Sequence, residues 1–175
     1  MKPGFLEKLI EQVEQQIQST LQADETLSKK VEKICRFKGL GTLTVVTIIA
    51  ETDGFALFRR KGQVVCFAGY DVRQNESGSS VKGKSRISKK GNSHIRKALH
   101  LPALCAVKYE KHFKNLYERV LQNTGVKMKA YVAVQRKILV LIYTLYKNDA
   151  AYDPQYPFQN NPILTQKNRQ ELCPA

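Results

Sequence analysis

Apolar residues recur at spacings of three and four over most of the chain, the period of an α-helix. Residues 5 to 22 put Leu6, Leu9, Ile10, Val13, Ile17 and Leu21 on one stripe, with Glu and Gln filling the other face. This predicts an amphipathic helix that either packs on the body of the domain or pairs with a second copy as a short antiparallel or coiled-coil contact. A second helix is expected from about Leu27-Ser28 through Val31, Ile34 and Cys35, stopped by Gly39 and Gly41. The run Thr42 to Glu51 is β-branched enough to read as a strand. Its apolar positions Leu43, Val46, Ile49 and Ala50 nevertheless keep a helical period, and Thr42 can cap, so a helix is expected there.

Beyond it, Phe55, Leu57 and Phe58, then Val64, Val65, Phe67 and Ala68, interrupted by Arg59-Arg60-Lys61-Gly62, fit two short helices. Gly69-Tyr70-Asp71 ends the apolar pattern, and Glu76 to Gly83 is rich in Ser and Gly, the composition of a mobile loop of the kind that often carries function. Helical spacing resumes from Asn92 with Ile95, Leu99, Leu101, Leu104 and Cys105, kinked or divided by Pro102. Phe113, Leu116, Tyr117, Val120 and Leu121 predict another amphipathic helix. The segment from Lys129 to Leu145 is apolar almost all round, which places it centrally in the core. After Asp149, Pro154, Pro157, Pro162 and many Asn and Gln read as an extended or disordered tail. The expected fold class is therefore all-α. Residues 1-32 form a helical extension, 33-148 a helical domain carrying a basic Ser/Gly loop at 74-93, and 149-175 the tail.

Charge narrows the function. In 175 residues, 29 Lys and Arg face 15 Asp and Glu, a formal charge of +14, which makes an acidic polymer the first partner to consider. The excess is concentrated: from Ser77 to Tyr109 there is no Asp or Glu, while Lys82, Lys84, Arg86, Lys89, Lys90, Arg96, Lys97 and Lys108 fall inside. No apolar run approaches the roughly 20 residues that span a bilayer, so no membrane association is expected. The charged opening lacks a signal-peptide h-region, which predicts a cytoplasmic protein.

Cys35, Cys66, Cys105 and Cys173 show no zinc-type spacing. The first three read as small core hydrophobes and Cys173 as an exposed tail thiol. His94, His100 and His112 are six and twelve residues apart, which puts no pair at i, i+4 and suits surface or phosphate contacts better than metal ligation. Glu51 and Asp53 read as a helix terminus and its loop. No metal site is expected within the chain.

Two constellations remain. Gly39-Leu40-Gly41 between apolar helices lets the backbone turn tightly and aims the first amides of the second helix outward, where they can hold a phosphate. The unit resembles the helix-hairpin-helix of non-sequence-specific DNA-binding proteins, with Lys38 where proline is common and Val46 near the usual alanine; the alternative is a glycine-mediated turn without a ligand. The second is the loop from Ser77 to Ser93, whose hydroxyls lie amid cations and glycines. One of them can attack a phosphodiester if cations lower its pKa and stabilise the charged transition state; otherwise the loop binds phosphates electrostatically.

The order Gly39-Leu40-Gly41, Ala50-Glu51, Phe58, Phe67-Ala68-Gly69, Gln74-Asn75-Glu76-Ser77-Gly78, Gly83-Lys84-Ser85-Arg86-Ile87-Ser88-Lys89-Lys90-Gly91-Asn92 and Ile95-Arg96-Lys97-Ala98-Leu99 resembles the C-terminal transposase domain of the IS-one-ten insertion-sequence family, which includes the Piv invertases. Val132-Ala133-Val134-Gln135-Arg136-Lys137-Ile138-Leu139 is similar to its closing helix, so the resemblance runs from about Lys33 to Lys147. It implies a DNA recombinase, guided in some members by a structured RNA, with a serine of this domain as nucleophile: Ser77, directly before Gly78, with Ser80 second. Gly39, Gly41, Lys82, Lys84, Arg86, Lys89, Lys90 and Arg96 would then bind phosphates or RNA. The helix at 5 to 22 resembles the coiled-coil segment that precedes this domain, consistent with a homodimer or tetramer. The carboxylates that hold Mg²⁺ belong in the family to a RuvC-like domain, and nothing before residue 39 alternates strands with acidic ends. The chain is therefore expected to be a fragment that binds DNA but does not catalyse transposition alone.

Overall fold

In the computed structural model, which describes residues 3–73, 76–77, 81–82 and 86–153, eight helices and four two-residue strands succeed one another. The helices are α1 (Pro3–Ala23), α2 (Glu25–Cys35), α3 (Thr42–Glu51), α4 (Lys61–Phe67), α5 (Ser93–Ala98), α6 (His100–Tyr109), α7 (Lys111–Thr124) and α8 (Lys127–Asn148). The strands β1 (Val72–Arg73), β2 (Glu76–Ser77), β3 (Val81–Lys82) and β4 (Arg86–Ile87) all lie between α4 and α5. The body is all-α, as the periodicity predicts.

The apolar face that α8 shows on nearly every side has a simple explanation in its position, with α2, α4, α6 and α7 packed around it. Val134, Ile138, Leu139 and Ile142 are completely buried, each worth about 1.5–3 kcal/mol relative to exposure. Gly125, at φ 67°, closes α7 in the left-handed conformation and lets the chain reverse into α8, with the Tyr117 and Tyr131 rings 4.6 Å apart across the turn.

Three local readings are corrected. The second helix begins at Glu25 rather than near Leu27, because Asp24 accepts hydrogen bonds from the amides of Thr26 and Leu27 and so starts it earlier. Thr42 is the first helical residue of α3 and not its cap; Gly41 stands there without a side chain to contribute. Residues 52–58 form successive turns where a helix was expected, with Asp53, Gly54 and Phe55 all at positive φ. Only the second of the two short helices there, α4, is present. Pro102 does divide its helix: it lies in the first turn of α6, and since its nitrogen has no hydrogen to give Ala98, α5 ends at that residue.

Cys66 is exposed, and Cys35 and Cys105 are only partly buried, so none is the fully buried core residue expected; Cys173 lies outside the described residues. Tyr152, in the segment read as extended, is buried: its ring meets Phe37 edge-on at 4.9 Å, and Phe37 meets Phe113 the same way at 5.4 Å. The Tyr152 amide donates to the Lys33 carbonyl, and Lys33 pairs with Asp149 at 2.9 Å, which brings this segment back onto α2. The α1 helix touches the body only near its end. Leu21 packs on the core, while Phe5, Leu6, Leu9, Ile10 and Val13 stay exposed.

Candidate nucleic-acid interface

The segment between α4 and α5, which holds the first part of the acid-free stretch, leaves the body at the end of α4 and returns at the start of α5. Between those points it runs out through β1 and β2 and back through β3 and β4. Val72 pairs with Ile87 and Arg73 with Arg86, and further along Glu76 pairs with Lys82 and Ser77 with Val81, all antiparallel. The loop expected from the sequence is therefore an arm with strand pairing at two levels.

Its root is held by two glycines. Gly69 has φ +72°, and a Cβ built on it would lie 2.7 Å from the Gly91 amide nitrogen. A Cβ on Gly91 would overlap the Phe67 carbonyl and the Gly69 amide. Only two residues without side chains allow the outgoing and returning strands to come this close. The contact is sealed by backbone bonds from Asn92 N–H to the Phe67 carbonyl (2.7 Å), Lys89 N–H to Gly69 (3.2 Å) and Ser88 N–H to Asp71 (2.8 Å). The Ser88 hydroxyl also donates to the Asp71 carboxylate.

Arg96 locks the same root from α5. Its Nη1 donates to the carbonyls of Ala68 (2.8 Å), Gly91 (3.0 Å) and Asn92 (3.1 Å), and its Nη2 to Lys89 (3.4 Å). A guanidinium suits this task because its donors are fixed in a planar fork. The sequence pattern gives Arg96 a phosphate; the structure aims these donors at four backbone carbonyls. Lys89 itself sits at φ +54°, a conformation costing an L-residue roughly 1–2 kcal/mol, and Arg96 and Gly69 hold it there. Asn92 completes the lock. Its Oδ1 caps α5 by accepting from His94 and Ile95, while its Nδ2 donates to Glu51 at the end of α3. Tyr70 is buried and donates to Gln135 of α8 (3.0 Å), whose amide nitrogen lies 3.2 Å from His100 Nδ1. Burial drives the Tyr70 hydroxyl well above the usual tyrosine range, so it stays protonated as a donor.

On this rigid root stands a cationic surface. Arg86, Lys89 and Lys90 are exposed. Arg73, which the sequence pattern does not single out, is also exposed and lies directly opposite Arg86 in the ladder. Like charges facing one another across a strand pair destabilise it unless an anion screens them. The signal was available only through the register, because Arg73 and Arg86 are thirteen positions apart. Ser77 lies in β2 and Lys82 in β3, on the part of the arm beyond that pair; Ser80 and Lys84 lie outside the described residues.

Gly39 and Gly41 are elsewhere, between α2 and α3. Gly39, at φ +99°, passes α6 so closely that a Cβ would come 2.5 Å from Cys105 Cβ, so its glycine has a packing reason. Gly41 has open space around it and precedes the uncapped first turn of α3. His94 is exposed on α5, and His112 sits edge-on to Phe113. Among the described residues no three His, Cys, Asp or Glu side chains come together as metal ligands. No helix among them is long and apolar enough to cross a membrane.

The residues that build the arm and its root fall within a match to the model of the transposase IS116/IS110/IS902 family over residues 31–118. The chain belongs to this family. It is also similar to the pilin gene-inverting proteins of Moraxella bovis and Moraxella lacunata, at 23% identity over 146 residues in each case. Those matches cover 82% of this chain but 45% of either relative, so the chain spans about half the length of the curated relatives it matches. In this member of the transposase family Gly69, Gly91, Asn92 and Arg96 build the root of the arm.

Proposed function

We propose that this chain is the DNA-contacting part of a transposase or DNA-inverting recombinase, with the arm between α4 and α5 laid on the DNA backbone and Ser77 as its nucleophile. The facing pair Arg73 and Arg86 carries the reading: two exposed cations held opposite each other are stabilised by a phosphate between them. In the reaction, the Ser77 hydroxyl oxygen forms a bond to phosphorus and loses its proton. The bond from phosphorus to the departing deoxyribose oxygen breaks, and that oxygen takes up a proton. A hydroxyl of the recipient strand then reverses the step and frees the serine. Mg²⁺, on this reading, belongs to carboxylates of a RuvC-like domain, and the roles of this chain are binding, orientation and attack. A structured guide RNA is a further partner the resemblance suggests.

The chain combined with a matching RuvC-like domain on a labelled DNA junction tests this reading. A covalent protein–DNA adduct that survives Ser80→Ala and disappears with Ser77→Ala is expected. Salt-sensitive binding with no adduct from any variant would leave the second reading, a non-catalytic helix-hairpin-helix module. That reading draws on the first turn of α3, where Gly41 provides no side-chain cap.

We also propose that the exposed stripe Phe5, Leu6, Leu9, Ile10 and Val13 pairs with a second copy, giving a homodimer or tetramer. Light scattering showing a monomer at high protein concentration would remove this proposal.

A further inference from the structure

The acid-free stretch continues past the arm along α5 and α6. Helical hydrogen bonds carry across the division at Pro102, from Leu99 N–H to Ile95 (3.1 Å) and from Ala103 N–H to Leu99 (3.1 Å). The inner face is core, with Ile95, Leu99, Ala103 and Ala106 completely buried. On the outer side His94, Lys97 and His100 are exposed, each three residues from the next, and Lys108 follows Lys97 by eleven residues, or about three turns. Leu101 is exposed beside them.

His100 differs from the other residues of this surface in being held from beneath. Gln135 is 4% exposed, on a helix whose Val134, Ile138 and Leu139 are completely buried, and a polar side chain there is costly unless its groups are bonded. Its Oε1 accepts from the Tyr70 hydroxyl at 3.0 Å, and its Nε2 lies 3.2 Å from His100 Nδ1. The buried Tyr70 phenol spends its one hydrogen on Gln135, so the end of the amide that faces His100 is the NH₂. His100 Nδ1 therefore accepts, and a neutral imidazole with an accepting Nδ1 carries its hydrogen on Nε2. Since Nδ1 faces the buried amide and the residue itself is exposed, the Nε2–H is turned outward. The chain from Tyr70 through Gln135 to His100 thus presents an oriented, uncharged donor about one turn from Lys97.

The surroundings say what such a donor suits. Arg96, four residues before His100, clamps the root of the arm, and Tyr70 follows Gly69 in that root, so the donor belongs to the same rigid unit as the cations of the arm. A hydrogen bond to an ionised oxygen is about twice as strong as one between neutral groups, and a cation alongside favours the same oxygen. We propose that His100 is a phosphodiester-binding residue, whose Nε2–H donates to a backbone phosphate of the nucleic acid on the arm while Lys97 neutralises charge beside it. This inference rests on the nucleic-acid reading and adds to it a residue outside the arm. The ligand chemistry is shared by DNA and RNA.

The test is fluorescence anisotropy of the full chain with a labelled duplex of about 30 base pairs, once as DNA and once as RNA, from about 50 to 200 mM salt. A pH near 8 lies well above the ordinary histidine value of about 6.5. His100→Asn places an amide oxygen where Nδ1 was and keeps the bond to Gln135, but nothing reaches the position of Nε2. It should weaken binding of at least one duplex about tenfold and leave the slope of log K against log salt unchanged, because no cation is lost. The duplex that responds names the polymer. His100→Gln, long enough to put an amide N–H where Nε2 was, should recover most of the loss, and Lys97→Gln should lower the slope by about 0.9. In the free chain, ¹⁵N spectra of the imidazole should place the ring hydrogen on Nε2.

Unchanged binding of both duplexes by His100→Asn, while Lys89→Gln/Lys90→Gln on the arm weakens it, overturns the role of His100 and leaves the arm standing. Equal losses in His100→Asn and His100→Gln trace to the fold and not to a donor, and overturn it too. So does a ring hydrogen found on Nδ1. No binding of either duplex by the unmodified chain removes this inference and the nucleic-acid reading together.

Discussion

Gly69 and Gly91 touch backbone to backbone, and neither has room for a Cβ. Through this contact a two-stranded arm rich in cations is fastened to a helical body, and Arg96 bridges both sides of it with hydrogen bonds to Ala68, Gly91, Asn92 and Lys89.

Gly91→Ala should therefore cost about 1–3 kcal/mol, the range for forcing extra atoms into a packed site. Urea denaturation measures the loss, and limited proteolysis within residues 72–88 should quicken before the helices unfold. Wild-type stability in Gly91→Ala would mean the strands part easily and the root is not locked.

Arg96→Lys keeps the charge but replaces a planar fork with a point charge, so it should fail to restore the clamp. A loss of about 1–3 kcal/mol is expected, with amide exchange accelerated at Ser88, Lys89 and Asn92. Unchanged protection at these three amides would return Arg96 to the phosphate-binding role read from the sequence.

Arg73→Thr separates stability from binding. Removing one of two facing cations should leave the fold as stable or more so, by about 0.2–1 kcal/mol. The salt slope of DNA binding should drop by about 0.9. A variant that loses stability and keeps its slope would show that the pair serves the fold and not a ligand.

Alkaline pH should act through Tyr152. Its hydroxyl donates to Glu110 at 3.2 Å, and burial together with the Glu110 charge pushes its pKa up to about 12 from an ordinary value near 10. The folded state therefore favours the protonated phenol. That contribution is fully present below about pH 10 and is lost as pH rises toward 12. Chemical denaturation between pH 9 and 12 should show the decline, and Tyr152→Phe should flatten this part of it while Tyr70 keeps its own.

How much of this was legible without coordinates differs from residue to residue. Leu6 to Leu21, Phe113 to Leu121 and Lys129 to Leu145 were readable as helices because burial on one side, or all sides, of a helix writes its period into the sequence. The turns at 52–58 were not: Phe55 and Phe58 are buried like helical residues, but their backbone is bent by positive φ at three successive positions. Tyr152 was hidden by the composition around it, since one anchoring ring on Phe37 leaves no periodic trace.

At the site the same division holds. The chain alone determined the all-α body, the acid-free cationic segment and the motif that marks its family, because these depend on residue types and on spacing along one strand. Which cations are left exposed was decided by the fold. Arg96 and Arg86 are alike in sequence, yet one is spent on four carbonyls and the other stands opposite Arg73. The Tyr70 hydroxyl and the Gln135 side chain are 65 positions apart in the sequence and meet only in the fold. Charges act through space, and only tertiary structure sets that distance.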